Sequence, residues 1–218
     1  MRGWMRYVLS TLLLVVTMIG TSQESDTLVF HQQHFISSPV PEHVRTRMIG
    51  KSMPANTPIS FDELRYLTLP YYDFAGDIQI GEMVCNKAIA SDLLVIFRIL
   101  FHFHYPIYSI RLVDDFNADD EASMQANNTS CFNYRNIAGT QILSKHALGR
   151  AVDINPLQNP WIRGTKTYPT SATPYRDRTR DFPHKIDKQD FCYRVFKWKG
   201  FIWGGEWNRN KDYQHFQK

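Results

Sequence analysis

Cysteine is scarce here: Cys85, Cys131 and Cys192 are the only three in 218 residues. No two share C-x-x-C spacing, which argues against a thiolate zinc site. They read as packing residues with at most one disulfide. Long apolar runs are missing too. The one at the N-terminus, Val8 to Ile19, is broken by Ser10, Thr11 and Thr17, and is shorter than the roughly 20 residues a membrane span needs. There is no basic block and no aromatic-basic repeat, so nucleic acid is not a partner the sequence supports. Internal repeats and low-complexity tracts are also absent.

What remains suits one globular domain with a substantial core: 43% of residues are hydrophobic and 14% aromatic. The first 22 residues have the layout of a secretory signal. Arg2 and Arg6 give a positive start, Val8 to Ile19 the apolar stretch, and Gly20 and Ser22 a small-residue cleavage site. Removing residues 1–22 leaves 23 basic and 21 acidic residues, a net charge of +2 against +4 for the whole chain. The expected location is outside the cytoplasm, in a periplasm or beyond the cell, with no membrane span after cleavage.

Residues 23–55 are polar and punctuated by Pro39, Pro41 and Pro54, and read as an extended arm. Residues 56–218 form the expected catalytic domain. Ser60 to Leu64 carries a capping signal for a short helix. Asn86 to His104 has the apolar spacing of one long core helix. Strands are expected at Tyr108–Val113, Phe132–Arg135, Ala151–Ile154 and Phe201–Trp203, and a helix at Asp190–Lys199 with Phe191, Val195 and Trp198 inward. The proline-rich stretch 155–187 reads as a long loop covering a site. His31 and His34 read as surface residues. His102 and His104 read as structural, because i and i+2 point apart on a helix.

Chemistry concentrates in two segments. The first runs Ser144-Lys145-His146-Ala147-Leu148-Gly149-Arg150-Ala151-Val152-Asp153. The second runs Trp203-Gly204-Gly205-Glu206-Trp207 and then Asp212-Tyr213-Gln214-His215-Phe216. Gly149 permits a tight path between His146 and Asp153. A carboxylate buried beside Val152 and Ile154 needs a cation or hydrogen bonds. His146, Asp153 and His215 supply three ligands and leave a fourth position for water. Asp212, three residues before His215, is placed to take that water's proton.

The run S-x-H-x-x-G-x-A-x-D, then W-G-G-x-W, then D-x-x-H-F resembles the D-alanyl-D-alanine carboxypeptidase-like zinc metallopeptidases. That family includes vancomycin-resistance D,D-peptidases and phage L-alanyl-D-glutamate endolysins. Upstream, Tyr105-Pro106-Ile107, Ser123-Met124, Asn127 to Ser130 and Phe132-Asn133-Tyr134-Arg135 extend the likeness to residues 60–218. The resemblance implies a small α+β domain with a central antiparallel sheet and flanking helices. It implies Zn2+ held by His146, Asp153 and His215, with Asp212 as acid/base. It gives Arg135 the task of binding the scissile carbonyl or a substrate carboxylate; the guanidinium fork suits either an oxyanion or a planar carboxylate, and an ion pair within the fold is the other reading. Glu206 is a second candidate for the base. Ser144 reads either as a partner of a ligand or substrate, or as a turn former. Trp203 and Trp207 read as core aromatics.

These features point to an exported zinc-dependent peptidase cutting an amide bond in a peptidoglycan stem peptide. D-Ala-D-Ala trimming and L-Ala-D-Glu cleavage share the same core, and the sequence leaves that choice, like the oligomeric state, open. The alternative is a zinc-containing cell-wall binding module without catalysis.

Overall fold

Asn86 starts the longest helix by accepting a hydrogen bond from the Ala88 amide. In the computed structural model, which describes residues 34–137 and 139–218, helix α2 spans Lys87–His102. Its stripe of Ile89, Leu93, Ile96, Phe97, Leu100 and Phe101 is buried, as the spacing requires. It lies against β2 (Leu64–Tyr72), which pairs antiparallel with β3 (Ile78–Asn86) over nine residues from Leu64↔Asn86 to Tyr72↔Ile78. The connection is tightened by Asp73, whose Oδ1 accepts from the Ala75 and Asp77 amides.

The expected arm is folded over its described part, and Phe35–Lys218 forms one compact unit. Strand β1 (Ile36–Ser38) pairs along the outer edge of β2. Helix α1 (Glu42–Met48) follows, with Pro41 as its N-cap residue. Val40, Val44, Met48 and Met53 enter a core cluster with Leu64, Val84, Leu112 and Phe132. Each such side chain gains about 1.5–3 kcal/mol on leaving water, which is why this segment is not an extended arm. The expected signal at 1–22, together with His31, lies outside the described residues.

The expected α+β class holds, with the antiparallel pairing shared between two three-stranded sheets. The second sheet carries the site. It has the order β6 (Ala151–Asp153), β10 (His215–Gln217), β9 (Ile202–Trp203). Period-two alternation sends Val152 and Phe216 inward, where the Phe216 ring stacks on Phe196 at 4.3 Å between centroids. Their neighbours Asp153 and His215 therefore share the opposite face.

Smaller elements connect these layers. Strands β4 (Ser109–Ile110) and β5 (Asn128–Thr129) pair in parallel around α3 (Asp120–Gln125). Only Ser109–Ile110 of the strand expected at Tyr108–Val113 forms, and Val113–Phe116 turns into a 3-10 helix instead. Phe132 to Arg135 runs extended without joining a sheet ladder, its amides bonding to Val84, His146 and Ser52 carbonyls. The stretch 155–187 contains a hairpin, β7 (Trp161–Arg163) with β8 (Lys166–Tyr168). Arg178 fixes its remainder by donating to the Gln158 and Ile186 carbonyls and to Asn159 Oδ1. Helix α4 (Phe191–Trp198) is where expected, but Cys192, Val195 and Phe196 face inward. Trp198 is 68% exposed. The helix rotates to seat Phe196 between Phe201 and Phe216.

Candidate metal centre

His146 is aimed by a tight turn. Ser144 Oγ accepts from the Ala147 amide, and the Gly149 amide bonds back to the His146 carbonyl. The chain then passes Gly149, whose φ is +64° and where a Cβ would lie 2.6 Å from the Asn86 amide nitrogen. Only glycine suits that position. The close approach lets the Gly149 carbonyl accept from Asn86 at 2.8 Å, tying the ligand turn to the start of α2. Residues 151–153 then enter β6.

The structure brings His146, Asp153 and His215 together. His146 Nε2 lies 3.1 Å from His215 Nδ1 and 3.2 Å from Asp153 Oδ2, and His215 Nδ1 lies 3.1 Å from Asp153 Oδ1. All three residues are buried. The partners of the outer ring nitrogens assign the tautomers. His146 Nδ1–H donates to the Cys131 carbonyl at 2.6 Å, and His215 Nε2–H donates to Gln217 Oε1 at 3.0 Å. The inner nitrogens, His146 Nε2 and His215 Nδ1, thus turn lone pairs toward one carboxylate. Burial raises the pKa of Asp153; it is held well below the usual carboxylate range only when the two imidazoles are protonated and turn N–H toward it. Two lone pairs and an anion converging in a buried space suit a divalent cation. These residues form a group able to hold a metal ion.

Asp212 reaches the same cavity by a different route. Its amide donates to the Gly204 carbonyl at 3.1 Å, and a Cβ on Gly204 would meet the Asp212 carbonyl oxygen at 2.5 Å. This close approach is why Trp203 is followed by glycine. Asp212 Oδ1 is enclosed and has no hydrogen-bond partner. Burial pushes the Asp212 carboxyl up to about 7, with His215 opposing and Asp153 reinforcing the shift.

Arg135 also lines the cavity, which has a volume of about 390 Å³. Its Nη2 donates to Asp120 Oδ1 at 2.6 Å, while its Nε is enclosed and unpaired. Ser144 sits at the wall, with its Oγ occupied as a turn acceptor. Glu206 is not brought to the cavity. Its carboxylate accepts from Tyr193 Oη at 2.8 Å and from Lys197 Nζ at 2.7 Å, because the 3-10 turn at Gly204–Glu206 faces it toward α4.

Several lining residues escaped the sequence reading. Trp207, expected in the core, lines the cavity beside His215 with 5.3 Å between ring centroids. Trp161, Asp120 and the aliphatic Ile137, Ile142 and Leu143 form other parts of the wall. Gln217 had a readable signal: two residues after His215 on a strand, it shares the ligand's face.

Residues 138–218 match the family model described as D-alanyl-D-alanine carboxypeptidase. That segment is similar to this family. The matched segment contains His146, Asp153, Asp212 and His215, and so every member of the cluster able to hold a metal together with its neighbouring carboxyl group. Arg135 and Asp120 lie before it. No curated protein and no solved structure matches the chain.

Proposed function

We propose that this chain is an exported zinc-dependent peptidase that hydrolyses an amide bond in peptidoglycan stem peptides. The observation that carries this reading is the buried His146–Asp153–His215 cluster with the Asp212 carboxyl, one oxygen of which has no hydrogen-bond partner, in the same cavity. His146, Asp153 and His215 would hold the zinc, which when bound supplies Lewis acidity and makes water nucleophilic near neutral pH.

The chain's own groups do the rest. Asp212, as the ionised carboxylate, takes the proton of the attacking water and returns it to the leaving amine. Arg135 offers the guanidinium that lines the cavity to a carboxylate or developing oxyanion of the substrate. Lys145 adds a second cation at the cavity wall, which favours an anionic peptide. Ile142, Leu143, Trp161 and Trp207 present apolar surface that limits water around the reacting amide. Export rests on the N-terminal sequence layout. Among the described residues no helix is long and apolar enough to cross a membrane.

The test is digestion of the stem pentapeptide L-Ala-D-Glu-L-Lys-D-Ala-D-Ala by the zinc-loaded chain, read by mass spectrometry. Loss of one D-Ala identifies a carboxypeptidase, and separation of L-Ala from D-Glu an endopeptidase. Peptidoglycan binding with the pentapeptide left intact contradicts the catalytic reading.

A further inference from the structure

Arg135 is the one cavity cation whose guanidinium is gripped by a carboxylate in the same wall. Asp120 Oδ1 receives its Nη2–H at 2.6 Å, the side chains being 36% and 27% exposed. Asp120 is held in place by its surroundings. Helix α3 is capped by Asp119, which accepts from the Ala122 amide. Three and four residues after Asp120, the helix is locked from both sides: Ser123 Oγ accepts from Asn128 Nδ2, and Met124 Sδ accepts from Gln214 Nε2. Gln214 directly precedes the ligand His215, so α3 is keyed to the metal-side strand. Glu121 ties α3 to the long loop by accepting from the Thr170 amide.

The Arg135 backbone is fixed as well. Its carbonyl accepts from the Ser144 amide at 3.1 Å, two residues before the ligand His146. The guanidinium is therefore the only part with freedom left. A single contact through Nη2 restricts that freedom and leaves Nε–H enclosed without a partner. An enclosed, unpaired charged donor is costly, so stability alone does not select this pose. Arg–carboxylate pairs are frequently bidentate, whereas this one uses a single nitrogen.

We propose that Asp120 is the positioning residue of Arg135: it holds the guanidinium at the cavity wall so that its cavity-facing edge meets an anionic oxygen of the substrate. This rests on the peptidase reading above and adds to it a residue outside the family-matched segment. Asp120 touches no substrate atom. It acts by removing rotamers from Arg135 before the substrate arrives, so that less order is lost on binding.

The test is a double-mutant cycle in the zinc-loaded chain with the stem pentapeptide. Asp120→Ala lowers kcat/KM by about tenfold and moves the same parameter, kcat or KM, that Arg135→Ala moves. In the Arg135→Ala background, Asp120→Ala changes kcat/KM by less than about twofold. Asp120→Glu restores most of the loss. Effects that add, or an Asp120→Ala variant with lowered melting temperature but unaltered kcat/KM, overturn the assignment. The Arg135 Nε–Hε resonance gives a readout independent of turnover: Asp120→Ala, or Asp120→Asn should the alanine variant not fold, shifts it and speeds its solvent exchange. An unchanged resonance overturns the positioning role whether or not the pentapeptide is cut. An uncut pentapeptide with a shifted resonance overturns the peptidase reading alone.

Discussion

Asp153 and His215 face each other directly across the β6–β10 ladder, Oδ1 and Nδ1 3.1 Å apart. Their spacing is set by strand register, and the register is fixed by Val152 and Phe216, the buried pair beside them. His146 arrives from the turn before β6. Two of the three residues of the cluster therefore come from buried positions of one sheet, and metal binding is coupled to its stability.

Zinc should raise the melting temperature of the full chain, and a chelator should reverse this. At a free metal concentration 100 times the dissociation constant, the gain is about 2.7 kcal/mol. His215→Ala should abolish the shift. Differential scanning calorimetry with and without zinc checks it.

Gln217 accepts the outer N–H of His215 at 3.0 Å, which selects the tautomer that faces the cluster. Gln217→Leu should weaken zinc affinity by about 10–100-fold while Gln217→Glu retains it, since only the latter keeps an acceptor. Competition against a chromophoric chelator measures both.

Gly149→Ala combines a left-handed φ of +64° with a Cβ 2.6 Å from the Asn86 nitrogen. A loss of about 2 kcal/mol or more is expected from strain and displaced backbone together. Urea denaturation should show it, with a fall in zinc affinity as the His146 turn shifts.

Asp190 caps α4 by accepting from the Tyr193 amide, and also accepts from Tyr105 Oη. Burial pushes its pKa up from 3.8 to about 6. Between those values the folded chain keeps a proton that the unfolded chain releases, so stability present below about pH 4 is lost as pH rises through 6. The part contributed by Asp190 is about 2 kcal/mol, allowing for its partly open setting. Asp190→Asn cannot titrate and should flatten this portion of the stability–pH curve.

The convergence of His146, Asp153 and His215 was legible because they lie on short segments whose geometry local sequence dictates: a glycine turn and two strands of alternating burial. Helix α2 was legible from periodicity alone. Glu206 was not, since its nearness to Trp207 along the chain says nothing of the Lys197 and Tyr193 partners supplied by α4. The β2–β3 hairpin was obscured by Pro70, which the strand tolerates opposite Ile80. Helix α1 was hidden between prolines, although Val40, Val44 and Met48 keep a four-residue spacing and Pro41 marks a helix start. Asp120 gave no sign in sequence, because its meaning depends on a partner 15 residues away.

X-ray absorption at the zinc edge of the loaded full chain tests the central claim most directly. The account predicts two imidazole nitrogens and carboxylate oxygen at about 2.0–2.2 Å, with one nitrogen lost in His215→Ala. A sulfur shell at about 2.3 Å, or an unchanged spectrum in that variant, would contradict it.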